Sequence, residues 1–418
     1  MQPNDLLPDQ IAEIEEEADP LLRTSAEFEE GAARLDLEPW IVQRLRHPER
    51  ELTANLAFTR DNGETLPVTG VRVQHHTGGL PSMGPVRWSH DCHLHAVRAA
   101  AMFQTWQLAL LDLPFGGAAG AVLCNPDELS ERELRTVARA YAHGLRGLLG
   151  STSDVPTPGA GCNPQTIAWM LEGTRSSDLG AVTGKPEELW GVPGSSHALA
   201  YGITALLAYL RPPLHEQRVA VQAIHPAPMA MVLHEAEAHV VAAADHSGGV
   251  MNDNRLDVPA LAAHVQHKGV VFGFAGGEAV CNADVLEAEC DALVLAGAER
   301  QITSVNAGRV RASVVFEVTP GAMTRAAETA LLERGVIVVP PLIATAGSSI
   351  AAYLEWAHNT RCSLEIPNLP KVIAERVCGV YDAAHSAAQT HQGTLREAAL
   401  VIAVQRVAKR MRVLGNDN

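Results

Sequence analysis

The stretch "RVAVQAIHPAPMAMVLHEAEAHVVAAAD", residues 218–245, reads as strand, helix, strand. Residues 218–224 are a short apolar run, too brief for a helix and suited to a buried strand. "PMAMVLHEAEA" (228–238) takes helix period, and 239–245 is a second apolar run that ends on Asp245. Two strands joined by a helix make a parallel pair. Short apolar runs recur at 290–297, 312–318 and 335–340, with helical stretches between them. The C-terminal half is therefore predicted to hold a doubly wound parallel sheet.

Upstream of about residue 190 the pattern differs. "ELTANLAFTRDNGETLPVTGVRVQHH" (51–76) alternates on both sides of Asp61-Asn62-Gly63, a hairpin signal. Before it, Leu35, Ile41, Val42 and Leu45 mark one helical stripe within 29–50. After it, "LHAVRAAAMFQTWQLALLDL" (94–113) has helix period. The stretch 129–150 is a marked helix, with Ser130 as cap, Glu131 and Glu133 in the first turn and Gly150 at its end. Asn163-Pro164 opens another helix over 163–175. "DLPFGGAAGAV" (112–122) reads as a glycine-rich loop, with no charge after Asp112 and no nucleophile. The expected division is a lead-in helix over 1–35, an α/β domain over 36–190, the parallel-sheet domain over 191–345 and C-terminal helices over 346–418.

A chain of 418 residues is long enough for two such domains with separate cores. Aromatics make up 4%, so those cores must be built mostly from Ala, Val and Leu. The net charge of −16 argues against nucleic acid or an anionic membrane as partner, since both demand a basic face. No apolar run is long enough to span a bilayer. The acidic start "MQPNDLLPDQIAEIEEEADP" lacks the basic opening of a signal peptide. Seven cysteines without CxxC pairing suit a reducing compartment, so a cytoplasmic protein is expected. "HDCHLH" (90–95) holds metal-ligating residue types but matches no zinc spacing, and Asp91 reads as a helix cap. No metal is expected.

Five stretches, in order, resemble successive landmarks of the glutamate/leucine/phenylalanine/valine dehydrogenases. They are "GVRVQHHTGGLPSMGPVRWSHD" (70–91), "TWQLALLDLPFGGAAGAV" (105–122), "NPQTIAWMLE" (163–172), "VTGKPEELWG" (182–191) and "AGSSIAAYLEW" (346–356). The resemblance is strongest to the hexameric bacterial glutamate dehydrogenases and runs from about residue 37 to 415. It implies an N-terminal α/β domain that binds substrate and builds the oligomer. It implies a Rossmann-like second domain, with C-terminal helices returning to the first. The implied chemistry is reversible oxidative deamination of an L-amino acid with NAD or NADP.

The resemblance also locates the family's chemical positions. Met83 stands at the lysine of a GPxKGGxR-like motif, and Gln107 at the TWK lysine that grips the α-carboxylate. Ala119 holds the place of the catalytic lysine, and Gly159 that of the catalytic aspartate. Leu199 and Ala352 replace a threonine and a serine that contact the substrate side chain. The GxGxxG fingerprint becomes Ala223, His225 and Pro228, with Pro226 between. Proline removes an N–H donor but is tolerated in a first helical turn, so the fold can persist while the pyrophosphate cradle is lost. Asp245 remains in position for a ribose hydroxyl, and Pro320 and Thr345 replace two asparagines of the nicotinamide site.

A general acid–base group contributes about 10²–10⁴-fold to rate, so losing both lysine and aspartate leaves little turnover. The expectation is a catalytically silent family member with no cofactor. It would assemble with itself or with a competent glutamate dehydrogenase subunit as a regulatory partner, its vacated clefts open to a small-molecule effector. Two alternatives stand beside it: a working NAD- or NADP-dependent dehydrogenase with relocated catalytic groups, and a stand-alone metabolite sensor.

Overall fold

The computed structural model describes residues 19–361 and 368–415. The acidic lead-in over 1–18 lies outside the described residues, as do 362–367 and 416–418. The chain divides into two compact units. The first takes the described parts of Met1–Ser196, Ser349–Leu369 and Glu397–Asn418; the second takes His197–Ser348 and Pro370–Arg396.

In the first unit, α1 (Pro20–Arg34) starts where the Asp19 carboxylate accepts the Leu21 and Leu22 N–H groups. The chain leaves it through Asp36 at φ 46°, and Pro39 opens α2 (Pro39–Leu45). The single predicted stripe is thus two helices, because Pro39 lacks the N–H that a helix interior needs. The hairpin forms as expected between β1 (Arg50–Thr59) and β2 (Thr65–His76), with Gly63 at φ 87°. It is followed by β3 (Ser82–Trp88), α3 (Leu94–Leu110), β4 (Gly116–Val122), α4 (Glu131–Gly144), β5 (Asp154–Pro158) and α5 (Pro164–Thr174). The sheet order is β1-β2-β4-β3-β5. β2 is antiparallel to β1 and β4, and β3 is parallel to β4 and β5.

Three expectations change here. Ser130 and Glu133 form a full capping box on α4, but the helix stops at Gly144 rather than Gly150, and the chain turns away through Gly147 at φ 91°. The cap of α3 is His93, whose ring accepts the Ala96 N–H, while Asp91 bonds to Ser89. The largest change concerns 112–122. Gly116–Val122 is no loop but a central strand, buried along its whole length between β2 and β3. Only Val122 in it is β-branched, so the usual strand signal is missing. Its glycines allow close packing. A Cβ on Gly117 would lie 2.1 Å from the Thr105 nitrogen of α3, and one on Gly120 would lie 2.3 Å from the Tyr141 hydroxyl.

The second unit opens with α6 (Ala198–Leu210). Its strands are β6 (Arg218–Ala223), β7 (His239–Asp245), β8 (Gly248–Met251), β9 (Glu278–Val280), β10 (Ala292–Ala296), β11 (Val314–Glu317) and β12 (Ile337–Val339). Between them run α7 (Pro226–Glu235), α8 (Val258–Lys268), α9 (Asn282–Leu286) and α10 (Arg325–Glu333). The order is β12-β11-β10-β6-β7-β8-β9. The five predicted strands are all present and parallel. β8 and β9 add an antiparallel edge that their short, glycine-rich sequence did not announce. The order turns at β6, which has β7 on one side and β10 on the other, as in a Rossmann-like sheet. Four helices complete the chain: α11 (Pro341–Ala344), α12 (Ala346–Arg361), α13 (Leu369–His391) and α14 (Leu395–Leu414). Among the described residues, no helix is long and apolar enough to cross a membrane.

Candidate functional site

The first unit holds two fully buried ion pairs. On the sheet, Arg72 and Asp154 are fully buried and paired, Nε to Oδ2 at 3.1 Å and Nη2 to Oδ1 at 2.5 Å. Gln74 donates to the same carboxylate at 3.2 Å, and Arg72 also donates to the Gly84 and Pro85 carbonyls. Burial alone would lower the guanidinium pKa, but the Asp154 carboxylate outweighs it and raises it. The second involves Lys185. Its Nζ donates to Glu355 at 2.6 Å and to the Val182 carbonyl at 2.9 Å, and both side chains are fully buried. Burial pulls the ammonium pKa down, partly offset by Glu355. The Trp356 indole donates to the Ser151 carbonyl, and its ring meets Phe115 edge-on with centroids 4.8 Å apart. These residues fasten α12 to the first unit.

The four expected chemical positions of this unit carry no charge; Met83, Gln107 and Ala119 are buried and Gly159 is half-buried. Ala119 packs in a buried apolar cluster with Val73, Val97 and Ala101. Met83 is fully buried on β3, opposite Gly117 and Val155. Gly159 follows β5, where an added Cβ would lie 2.6 Å from the Val86 carbonyl oxygen. Gln107 is buried on α3, and its Oε1 accepts the Ser349 hydroxyl at 2.7 Å. Ser349 in turn accepts from Gln104 at 3.1 Å. Ala352 is buried on α12. Leu199 belongs to the second unit, on α6.

Sequence reasoning missed the Gln104–Ser349–Gln107 chain and both buried ion pairs. A signal for one was present: Arg72 and Gln74 interrupt the apolar positions of a strand. Lys185 is also the only lysine among residues 1–267. It is engaged by Glu355; the unit's other lysine, Lys409, lies on α14.

In the second unit, Ala223 ends β6, and His225 stands exposed just before α7. Of the first four residues of α7 only Ala227 and Met229 carry an N–H, since the others are Pro226 and Pro228. Asp245 is buried at the end of β7. Its Oδ1 accepts the Ser247 N–H at 2.7 Å and the Ser247 hydroxyl at 2.5 Å, and its Oδ2 accepts the Val271 N–H at 2.8 Å. Pro320 lies exposed after β11, and Thr345 is half-buried, donating to the Pro341 carbonyl. Among the described residues no group of three or more His, Cys, Asp or Glu side chains is placed to hold a metal ion.

Comparison with known proteins sets this geometry in a family. Residues 48–176 match the Glu/Leu/Phe/Val dehydrogenase dimerisation domain, and 195–415 match Glutamate/Leucine/Phenylalanine/Valine dehydrogenase. Glutamate dehydrogenase A2 of Halobacterium salinarum is 33% identical over 94% of this chain and 97% of its own. The catabolic NAD-specific glutamate dehydrogenase of Bacillus subtilis is 30% identical over 94% of this chain and 95% of its own. The hetero-hexameric glutamate dehydrogenase of Thermus thermophilus, solved with Leu bound, has a TM-score of 0.89 at 31% identity, covering 96% of this chain and 98% of its own.

One expectation is overturned by these findings. A chain without cofactor was expected from the broken fingerprint. Similarity to dehydrogenases over nearly the whole chain, together with the Rossmann-like parallel sheet, implies a capacity for dinucleotide binding. The residues present fit in outline. The N-terminus of α7 follows β6 at the turning point of the sheet, and the buried Gln222 Oε1 at the end of β6 has no partner. The fingerprint was misread because proline deletes amide donors without deleting the helix terminus that aims the rest.

Proposed function

Because the chain belongs to the Glu/Leu/Phe/Val dehydrogenase family, we propose that it serves amino-acid oxidoreduction as a catalytically silent, regulatory subunit of a glutamate dehydrogenase assembly. One observation carries this reading. Lys185 is locked in a buried ion pair, Ala119 sits in a buried apolar cluster, and a Cβ on Gly159 would meet the Val86 carbonyl. The assembly is a cytoplasmic hexamer with a lysine-bearing partner, by analogy with the Thermus thermophilus hetero-hexamer.

NAD or NADP binds the second unit, with the Ala227 and Met229 amides and the Gln222 side chain as its polar contacts. In the family reaction a bound nicotinamide accepts or donates hydride; in this subunit the dinucleotide is a ligand rather than a reactant. Co-purification from the native host with mass spectrometry tests the proposal. Recovery of a second, lysine-bearing family member in the complex supports it. A homo-oligomer that forms NAD(P)H from glutamate rules it out.

A second reading is a working NAD(P)-dependent amino-acid dehydrogenase whose catalytic groups have moved. The comparisons support it more directly than the first, because the relatives matched end to end are named as dehydrogenases. Steady-state reduction of NAD or NADP with L-glutamate separates the two readings.

A further inference from the structure

The segment after α8 is pinned at the carboxyl edge of the second unit's sheet. Val271 donates its N–H to Asp245, and Phe272 donates its own to the Ser247 hydroxyl at 3.1 Å. On the other side of Phe272 the His264 ring bonds its carbonyl at 3.2 Å. The backbone of Phe272 is therefore held at both ends, yet its ring is 65% exposed. Burial would gain about 25 cal/mol per Å² of apolar surface, so a fixed backbone that keeps a phenyl ring in water is unexplained by folding. Phe272 is tied through its backbone to Ser247 in the β7–β8 turn, at the end of the strand that pairs with β6, where open parallel sheets bind ligands outside their strand ends. Ile224, at the end of β6, is a second exposed apolar side chain on the same edge.

We propose that Phe272 is the stacking face for the adenine of a bound nucleotide. The inference rests on the dinucleotide-binding part of the reading above and names a contact that this chain uses there. Both Asp245 oxygens already accept bonds within the protein, and the residue is buried. Asp245 thus acts as a positioning residue: it fixes Ser247 and Val271, and through them the ring. Affinity for the adenosine end comes from the base face rather than from the carboxylate.

Isothermal titration of the full chain with ADP tests this directly, using Phe272→Ala, Phe272→Leu and Phe272→Trp, with thermal unfolding to verify that each folds. Base–aromatic stacking predicts about a tenfold loss in the alanine variant. Leucine should lose nearly as much, and tryptophan should restore binding. Equal ADP affinity in wild type and Phe272→Ala overturns the stacking role while leaving nucleotide binding intact. No binding of ADP to the wild type at millimolar concentration overturns the nucleotide reading itself, and the stacking role with it.

Discussion

Arg72–Asp154 and Lys185–Glu355 lie fully buried with each charge matched, whereas Met83, Gln107, Ala119 and Gly159 bring no charge into the same unit. Met83 and Ala119 stand on β3 and β4, the two strands that separate Arg72 on β2 from Asp154 on β5. The contrast shows that this interior has not simply become apolar. A low-dielectric core retains an ion where a counter-ion and hydrogen bonds are built around it. Met83, Gln107 and Ala119 are buried without charge, and an added Cβ on the half-buried Gly159 would meet the Val86 carbonyl.

The comparison breaks most severely if a matched pair is split. Asp154→Ala leaves the Arg72 guanidinium buried without its counter-ion. The expected cost is about 3–5 kcal/mol, read from urea unfolding. Glu355→Ala should cost a similar amount, and loosening of α12 should show as faster amide exchange.

His75 supplies an intermediate case, a titratable group kept in the core by neutrality. Burial pushes its pKa down to about 4, although the Leu45 carbonyl favours its protonation. The folded value lies below the unfolded value of 6.5. Its contribution is therefore complete above pH 6.5 and is lost as pH falls toward 4, roughly 3 kcal/mol in all. Wild type should lose more stability across that window than His75→Gln, and the NMR signal of His75 should not titrate above pH 5.

Refilling the uncharged positions sharpens the contrast. Gly159→Asp drives a Cβ against the Val86 carbonyl, and overpacking of this kind costs about 1–3 kcal/mol. Combining it with Ala119→Lys should lower thermal stability further, without creating glutamate-dependent turnover. The smallest effect belongs to the broken turn. Pro226→Gly with Pro228→Gly returns two amide donors to the N-terminus of α7. Each neutral hydrogen bond is worth about 1 kcal/mol, so the two together should tighten ADP binding up to about thirtyfold by titration.

Much of this was legible beforehand, for identifiable reasons. The parallel strands announced themselves because a strand buried on both faces is a continuous apolar run. Ser130 and Glu133 marked a helix start because their side chains complete its free amides. β4 was hidden, since Gly116–Ala121 carries no side chain larger than a methyl and so no period to read. The family positions could be found from motifs, but not their surroundings. That Ala119 faces an apolar cluster, or that Gln107 is occupied by Ser349, depends on which elements pack together. The engagement of Asp245 was equally invisible, because Val271 lies 26 residues away.

The most direct test of the silent-subunit reading is glutamate-dependent NAD or NADP reduction by the purified chain alone, followed spectrophotometrically at saturating substrate. The expected result is no rate above the enzyme-free blank, with activity only when a lysine-bearing family subunit is added. Sustained turnover by the isolated chain, in proportion to its concentration, would contradict it and establish the working-dehydrogenase reading instead.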